Sequence, residues 1–99
     1  MLGIMIVFAA VMVASTARAA DAAHGRRLAE SHCAVCHKIA PGQHAELADS
    51  PPFEVIGRKY GFQEDALTYA IVGPHPKMNF SPQPGEARDI AAYISTLGR

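Results

Sequence analysis

The sequence has few cysteines, no cluster of basic residues and few large apolar side chains. Its 99 residues include two cysteines, which can form at most one disulfide, so a disulfide-rich scaffold is excluded. Nine Lys and Arg residues balance nine Asp and Glu residues, and no basic run is longer than two. A groove for a phosphate backbone needs a clustered basic face, so we expect no nucleic-acid partner.

Large apolar residues are scarce after the first segment. Residues 20–99 contain 34 apolar residues, of which 13 are alanine. The remaining 21 side chains make a small core for a domain whose surface-to-volume ratio already makes its stability marginal. Small domains of this kind depend on disulfides, a metal or a partner. We therefore expect a further group to contribute to the centre of the fold.

The first 19 residues have the pattern of an export signal. Fifteen of them are apolar, and Arg18 is their only charged side chain. The uncharged run from Leu2 to Ala14 would span ~20 Å as a helix, too little for a hydrocarbon core of roughly 30 Å. Residues 17–19 have the small-x-small pattern that a signal peptidase reads. We predict that residues 1–19 are a cleaved signal peptide and that residues 20–99 form the exported domain. A retained segment would instead tether the domain to the membrane.

The rest of the chain predicts an all-α fold, because no alternating strand pattern of useful length is present. Apolar residues recur at helical spacing in four segments. The predicted elements are a helix from Ala22 to Cys36, a helical turn opened by Pro51-Pro52 with Phe53, Ile56 and Tyr60 on one face, a helix from Gln63 to Val72, and a helix from Pro84 to Leu97. Four prolines between positions 74 and 84 predict a stiff, extended loop before the last helix.

One pentapeptide, Cys33-Ala34-Val35-Cys36-His37, carries the chemistry. This spacing is the arrangement for covalent attachment of a c-type haem, with two thiols for the porphyrin vinyl groups and a histidine for the iron. A structural zinc site would need two further ligands, drawn from His24, His32, His37, His44 and His75. A dithiol oxidoreductase would need a strand before the cysteines, and a disulfide within one helical turn is geometrically awkward. The haem interpretation also explains the small core, since a macrocycle supplies buried apolar surface.

A haem iron in an electron-transfer protein has a sixth ligand, commonly methionine or histidine. Met78 is the only methionine after residue 20, and it lies in the proline-rich loop. We predict that Met78 is this ligand. His75 is the rival ligand, and a methionine that only fills a gap in the loop is the remaining alternative.

These features resemble a short class I cytochrome c of the bacterial periplasmic type, over residues 24–98. The matching features are Gly25, the haem motif from Cys33 to His37, the Pro51-Pro52-Phe53 turn, the segment from Ile56 to Tyr60, Met78, and a last helix with Ile90 and Tyr93. The resemblance implies the cytochrome c fold, with short helices wrapped around one covalently bound haem c. It also implies a periplasmic monomer that is not an enzyme and that carries single electrons between a donor and an acceptor redox protein in transient complexes.

The resemblance further implies roles for individual residues. Gly25 and Tyr93 are expected where the first and last helices cross, and the carbonyl of Pro51 is expected to accept a hydrogen bond from the ring of His37. Ala29 occupies a position that often holds an aromatic residue in the family, so we expect a less tightly packed crossing. Asn79 replaces a proline that often follows the methionine, which affects only the stability of the ligand loop.

Several surface positions have two interpretations. Arg58, Lys59 and Tyr60 could bond the haem propionates, or could be surface charges beside a core aromatic. Lys38 and Lys77 could rim the haem edge and steer a negatively charged partner, or could be isolated surface lysines. We expect three histidines to be exposed to solvent, namely His24, His32 and His44.

Two other functions would also use a bound haem. A haem enzyme or gas sensor would have Met78 absent from the iron or easily displaced. A subunit of a periplasmic dehydrogenase would keep the electron-transfer chemistry in a larger complex.

Overall fold

The structure is a computed structural model that describes residues 3–12, 19–43, 50–75 and 80–99. Within these ranges it has four α-helices and no strand, as the all-α prediction requires: α1 (Ala22–His32), α2 (Phe53–Lys59), α3 (Glu64–Val72) and α4 (Pro84–Thr96). Residues 3–12 form no helix and expose their large apolar side chains. In the described part of the chain, no helix is long and apolar enough to cross a membrane.

Helix α4 is the centre of the fold, because it contacts each of the other three helices. It begins with Pro84, whose fixed φ suits the first helical position. The side chain of Glu86 accepts a hydrogen bond from the backbone N–H of Gln83 at 3.0 Å, and this bond caps the N-terminal end of α4. The predicted apolar stripe is confirmed, since it is buried at Ala87, Ile90, Ala91 and Ile94 and half-buried at Leu97.

Helices α1 and α4 cross in close contact at Gly25. A Cβ atom at this position would lie 1.8 Å from the backbone oxygen of Asp89 and 2.7 Å from the backbone nitrogen of Ile90. Only glycine permits this approach. The expected role of Gly25 at the helix crossing is thus seen in the structure. The atoms of α4 nearest to it are backbone atoms of Asp89 and Ile90. Ala29 is completely buried, and the looser crossing expected from it stays a prediction.

The first helix ends four residues earlier than the sequence suggested. The prediction of a helix from Ala22 to Cys36 is wrong, because the regular helix stops at His32 and residues 33–36 form turns. The carbonyl of Ala29 accepts hydrogen bonds from both Cys33 and Ala34, at 2.8 and 2.9 Å. Because two N–H groups share this acceptor, the last turn is wider, and the regular helix ends before the two cysteines.

The two prolines before α2 also differ from expectation. Pro52 is the N-cap of α2 and lies outside the helix, so neither proline occupies the first helical position. The backbone N–H of Phe53 donates instead to the carbonyl of Lys38 at 2.8 Å. This bond holds the start of α2 beside the segment that follows the haem motif.

Phe62 packs against the end of α2 and the end of the chain. A Cβ atom at Gly57 would lie 2.2 Å from the Phe62 ring, and a Cβ atom at Gly98 would lie 2.5 Å from it. Phe62 itself adopts a φ of 54°, which is rare for a side chain of this size. The ring therefore fits only because both facing positions lack a side chain.

His24 is not simply exposed, so that expectation is wrong. Its Nδ1 lies 2.6 Å from a carboxylate oxygen of Asp89 on α4. The other carboxylate oxygen accepts a hydrogen bond from the backbone N–H of Asp21 at 2.8 Å, and the Asp21 side chain caps α1 through the N–H of His24. The start of α1 is thereby fastened to the middle of α4. His32 is exposed as expected, and His44 lies outside the described residues.

Candidate functional site

Cys33 and Cys36 lie in the turns that continue from α1. The N–H groups of Cys36 and His37 both donate to the carbonyl of Cys33, at 3.1 and 2.9 Å, which curls the pentapeptide into one compact turn. Both thiols are free and half-buried. Burial, with a smaller contribution from Cys36, raises the pKa of the Cys33 thiol to about 11. The Cys33 sulfur is therefore a protonated, apolar-facing group that also packs against the core.

The ring of His37 is oriented by a backbone carbonyl. Its Nδ1 lies 2.6 Å from the carbonyl oxygen of Pro51, and since a carbonyl can only accept, Nδ1 carries the proton. This bond leaves the lone pair of Nε2 available for a metal. The ring centroid lies 5.8 Å from that of Phe53, which is buried in the core. The ring of His37 is thus held in a fixed orientation beside apolar surface.

Two side chains support the segment after His37 in ways that the sequence analysis did not predict, and one of them, Gln43, was not singled out there at all. The side-chain amide of Gln43 bridges this turn, accepting from the N–H of Ile39 at 3.2 Å and donating to the carbonyl of His37 at 3.4 Å. The buried hydroxyl of Tyr93 donates to the carbonyl of Ile39 at 2.7 Å. Neither role has a signal in the local sequence, because each depends on a bond that only the folded chain forms.

The structure describes only part of the proline-rich loop between α3 and α4. Met78 lies outside the described residues, as do Lys77 and Asn79. The ring of His75 lies 5.8 Å from the ring of His37, nearly perpendicular to it at 81°. His75, the rival candidate for the sixth ligand, therefore lies close to His37.

Phe80 follows the undescribed part of that loop and is half-buried against the core. Its ring stacks on the ring of His32 with centroids 3.8 Å apart and an interplanar angle of 6°. This contact joins the loop to the residue directly before Cys33. No local pattern indicates this contact, since 48 positions separate the two residues.

The proposed propionate ligands lie at the end of α2. Arg58 and Lys59 are exposed in its last turn, and Tyr60 is half-buried against the core. The Nζ atom of Lys59 lies 5.5 Å from the centroid of the Tyr60 ring. The structure contains nothing that tests these residues as propionate ligands, so that role stays a prediction.

The donor set fits a covalent haem. Two free thiols lie on one turn, the Nδ1 of the adjacent imidazole is bonded to a backbone carbonyl so that Nε2 can face a metal, and the buried Phe53 lies next to that ring. A thiol pair with a neighbouring histidine is the set that a c-type haem requires. In the ranges that the structure describes, no three His, Cys, Asp or Glu residues are grouped to hold a metal ion by themselves, so the zinc alternative gains no support there.

Comparisons with known proteins agree with this chemistry. The family model described as Cytochrome c matches residues 22–98. A cytochrome c-552 from Bradyrhizobium diazoefficiens is 45% identical over 96 residues, which cover 96% of this chain and 92% of that protein. No solved structure matches the chain significantly.

Proposed function

Since the chain belongs to the cytochrome c family, as a short bacterial class I c-type cytochrome, we propose that it moves single electrons between two redox proteins with an iron held by His37 and Met78. It is an electron-transfer protein and not an enzyme, and its cofactor is covalently attached haem c. The observation that carries the proposal is the hydrogen bond between His37 and Pro51. It fixes the ring in the tautomer that a proximal ligand needs, one residue after the second thiol.

Each residue of the pentapeptide has a distinct part in the proposal. Cys33 and Cys36 form the two thioether bonds, so the cofactor stays with the chain in every redox state. His37 would bind the iron, and the carbonyl of Pro51 would raise the basicity of its ring through the bonded Nδ1. Haem supplies a one-electron Fe(III)/Fe(II) couple when it is bound.

Met78 would supply a thioether sulfur to the iron. A methionine ligand and low-polarity surroundings raise the reduction potential, because they disfavour the extra positive charge of Fe(III). The sequence has prolines on both sides of Met78, and each proline fixes its own φ. Arg58 and Tyr60 at the end of α2 bond the propionates in this proposal.

The ligand set can be tested by absorption spectroscopy of the oxidised protein. Fe(III) bound to thioether sulfur gives a weak band near the red end of the visible spectrum. We expect this band in the unaltered protein and in His75→Ala, and we expect its loss, with a lower reduction potential, in Met78→Ala. If His75, whose ring lies 5.8 Å from that of His37, were the sixth ligand, the unaltered oxidised protein would lack this band, and the reduction potential would change in His75→Ala and stay the same in Met78→Ala.

We also propose that the domain is exported to the periplasm after cleavage between Ala19 and Ala20. Support comes from the exposed apolar side chains of residues 3–12 and from the start of α1 at Ala22, directly after the proposed cleavage point. The mass of the exported protein tests cleavage and covalent haem together. A mass that retains residues 1–19 would indicate a membrane-tethered form. In this proposal the exported protein is a monomer, and its electron donor and acceptor each bind it through a small, transient contact.

A further inference from the structure

The side chain of Gln43 bonds to two consecutive peptide groups of the segment that follows His37. Its Oε1 accepts from the N–H of Ile39 at 3.2 Å, and its Nε2 donates to the carbonyl of His37 at 3.4 Å. Because an N–H can only donate, the bond to Ile39 fixes which end of the amide is oxygen. Ile39 is 3% exposed, so loss of this acceptor would leave a buried N–H without a partner.

The peptide group between Lys38 and Ile39 is held from both sides. Its N–H donates to Gln43, and its carbonyl, which belongs to Lys38, accepts from the N–H of Phe53 at 2.8 Å. Because a trans peptide group is planar, its N–H and its carbonyl point in opposite directions. Two partners on opposite sides therefore fix the tilt of this plane.

The same peptide group influences where the hydrogen-bond partner of the His37 ring lies. Pro51 is two residues before Phe53, and its carbonyl accepts from the Nδ1 of His37 at 2.6 Å. Together with the bond between Lys38 and Phe53, this bond clamps two short segments of chain to each other. A tilt of the Lys38 carbonyl would therefore shift Phe53 and, with it, the carbonyl of Pro51.

A tight turn brings Gln43 back to this segment. Gly42 has a φ of 83°, and the N–H of Gln43 donates to the carbonyl of Ala40 at 3.3 Å. Proline at the second position and glycine with positive φ at the third are typical of a type II turn, here Ala40-Pro41-Gly42-Gln43. The turn reverses the chain, so the side chain of Gln43 can bridge residues that precede it.

We propose that Gln43 is a positioning residue for His37, acting through the peptide group that it holds. The inference rests on the proposed function, since it requires His37 to bind the iron. Gln43 does not touch the iron in this proposal. By keeping the Pro51 carbonyl against Nδ1, it maintains the basicity of the His37 ring. A more basic ring donates more electron density to the metal and favours Fe(III) over Fe(II).

Gln43→Met tests the bridge, because methionine is also long and unbranched but makes at most a weak hydrogen bond. In the oxidised holoprotein, the hyperfine-shifted NMR signals of the His37 ring protons report how that ring is oriented at the iron. We expect these signals to move and the reduction potential to rise. The amide hydrogen of Ile39 should exchange about 3- to 10-fold faster, as loss of one ordinary hydrogen bond predicts.

Two further variants separate the bond to Ile39 from other effects of the substitution. Gln43→Glu keeps an acceptor for the N–H of Ile39 and loses only the longer bond to His37, so the ring-proton signals should stay close to their original positions. Its negative charge alters the reduction potential directly, so the NMR signals are the readout for this variant. Gly42→Ala disfavours the turn through its φ of 83°, and it should move the same signals as Gln43→Met.

Gln63→Met is the matched control, because it makes the same change at an exposed residue whose amide bonds to the carbonyl of Gly61 at 3.5 Å. The ring-proton signals, the reduction potential and the exchange of Ile39 should all be unchanged. A lower free energy of unfolding in Gln43→Met, with the signals and the potential unchanged, would overturn the inference alone. So would signals that move as far in Gln43→Glu as in Gln43→Met. If the His37 ring protons of the unaltered protein have no hyperfine shift, His37 is not an iron ligand, which would overturn the proposed ligand set and the inference with it.

Discussion

The hydroxyl of Tyr93 donates a hydrogen bond of 2.7 Å to the carbonyl of Ile39, across 54 positions of the chain. Tyr93 is on α4 and Ile39 is two residues after His37, so the bond ties the haem segment to the central helix. Both residues are buried, with exposed fractions of 6% and 3%. The bond therefore satisfies a carbonyl that would otherwise be buried without a partner.

Removal of this hydroxyl should destabilise the fold. Tyr93→Phe leaves the Ile39 carbonyl unsatisfied, and we expect the free energy of unfolding to fall by about 1–3 kcal/mol at pH 7. Denaturant unfolding of the holoprotein measures the change. Tyr69→Phe is the control, because Tyr69 is 82% exposed, and it should change stability by less than about 0.5 kcal/mol. Equal losses in the two variants would show that the bond to Ile39 contributes nothing.

The same hydroxyl predicts a loss of stability at alkaline pH. Burial raises the pKa of Tyr93 above its ordinary value of 10.0, with smaller effects from the charges of Arg26, Glu30 and Glu54. Because the folded protein holds the proton more tightly than the unfolded chain, the stabilisation is complete below pH 10 and is lost as the pH rises further. Unfolding measured from pH 8 upward should show a smaller alkaline decline in Tyr93→Phe. An identical decline in both proteins would assign it to other groups.

The crossing of α1 and α4 should not tolerate a side chain at Gly25. An added Cβ would lie 1.8 Å from the Asp89 carbonyl oxygen, so Gly25→Ala must push the helices apart. We expect a loss of about 1–3 kcal/mol in the free energy of unfolding. Gly85→Ala is the matched control, because a Cβ there meets nothing within 4 Å, and alanine's helix propensity should make it neutral or stabilising by up to ~1 kcal/mol. Similar stability in both variants would contradict the close approach.

The bonds that Asp89 makes to the start of α1 should stabilise the fold more than an exposed ion pair does. Asp89→Asn weakens its bonds to His24 and Asp21, and we expect a loss of about 1 kcal/mol, since the His24 side chain is 40% exposed and partly screened. Glu30→Gln is the control, because the Arg26–Glu30 pair is more than half exposed on both sides. It should change stability by less than about 0.5 kcal/mol. Thermal or denaturant unfolding compares the two variants, and a larger loss in Glu30→Gln would refute the assignment.

The sequence was most informative where the signal is local. Apolar spacing predicted α3 and α4 to within one residue at each end. The pentapeptide predicted covalent haem, because its two thiols and histidine need no distant partner to be identified. Gly25 was found through the family resemblance, and the structure supplies the reason in the contact with Asp89.

Predictions failed where one specific hydrogen bond, either at a helix end or between distant residues, decides the structure. The end of α1 depends on a carbonyl shared by two N–H groups, which apolar spacing does not encode. His24 was expected to face solvent, and the residue that its ring contacts is 65 positions away. The stack of His32 on Phe80 has the same origin. Such pairings depend on helix packing, which a single sequence does not specify.

The packing of Phe62 against Gly57 and Gly98 makes the three positions dependent on one another. Enlarging either glycine alone should be harmful, since the added carbon would fall within 2.6 Å of the ring. In a background where Phe62 has been reduced to alanine, the same enlargements should become nearly neutral. Along an evolutionary lineage the order of changes would therefore matter: the ring must shrink first, and until it does, the two glycines are inaccessible to substitution.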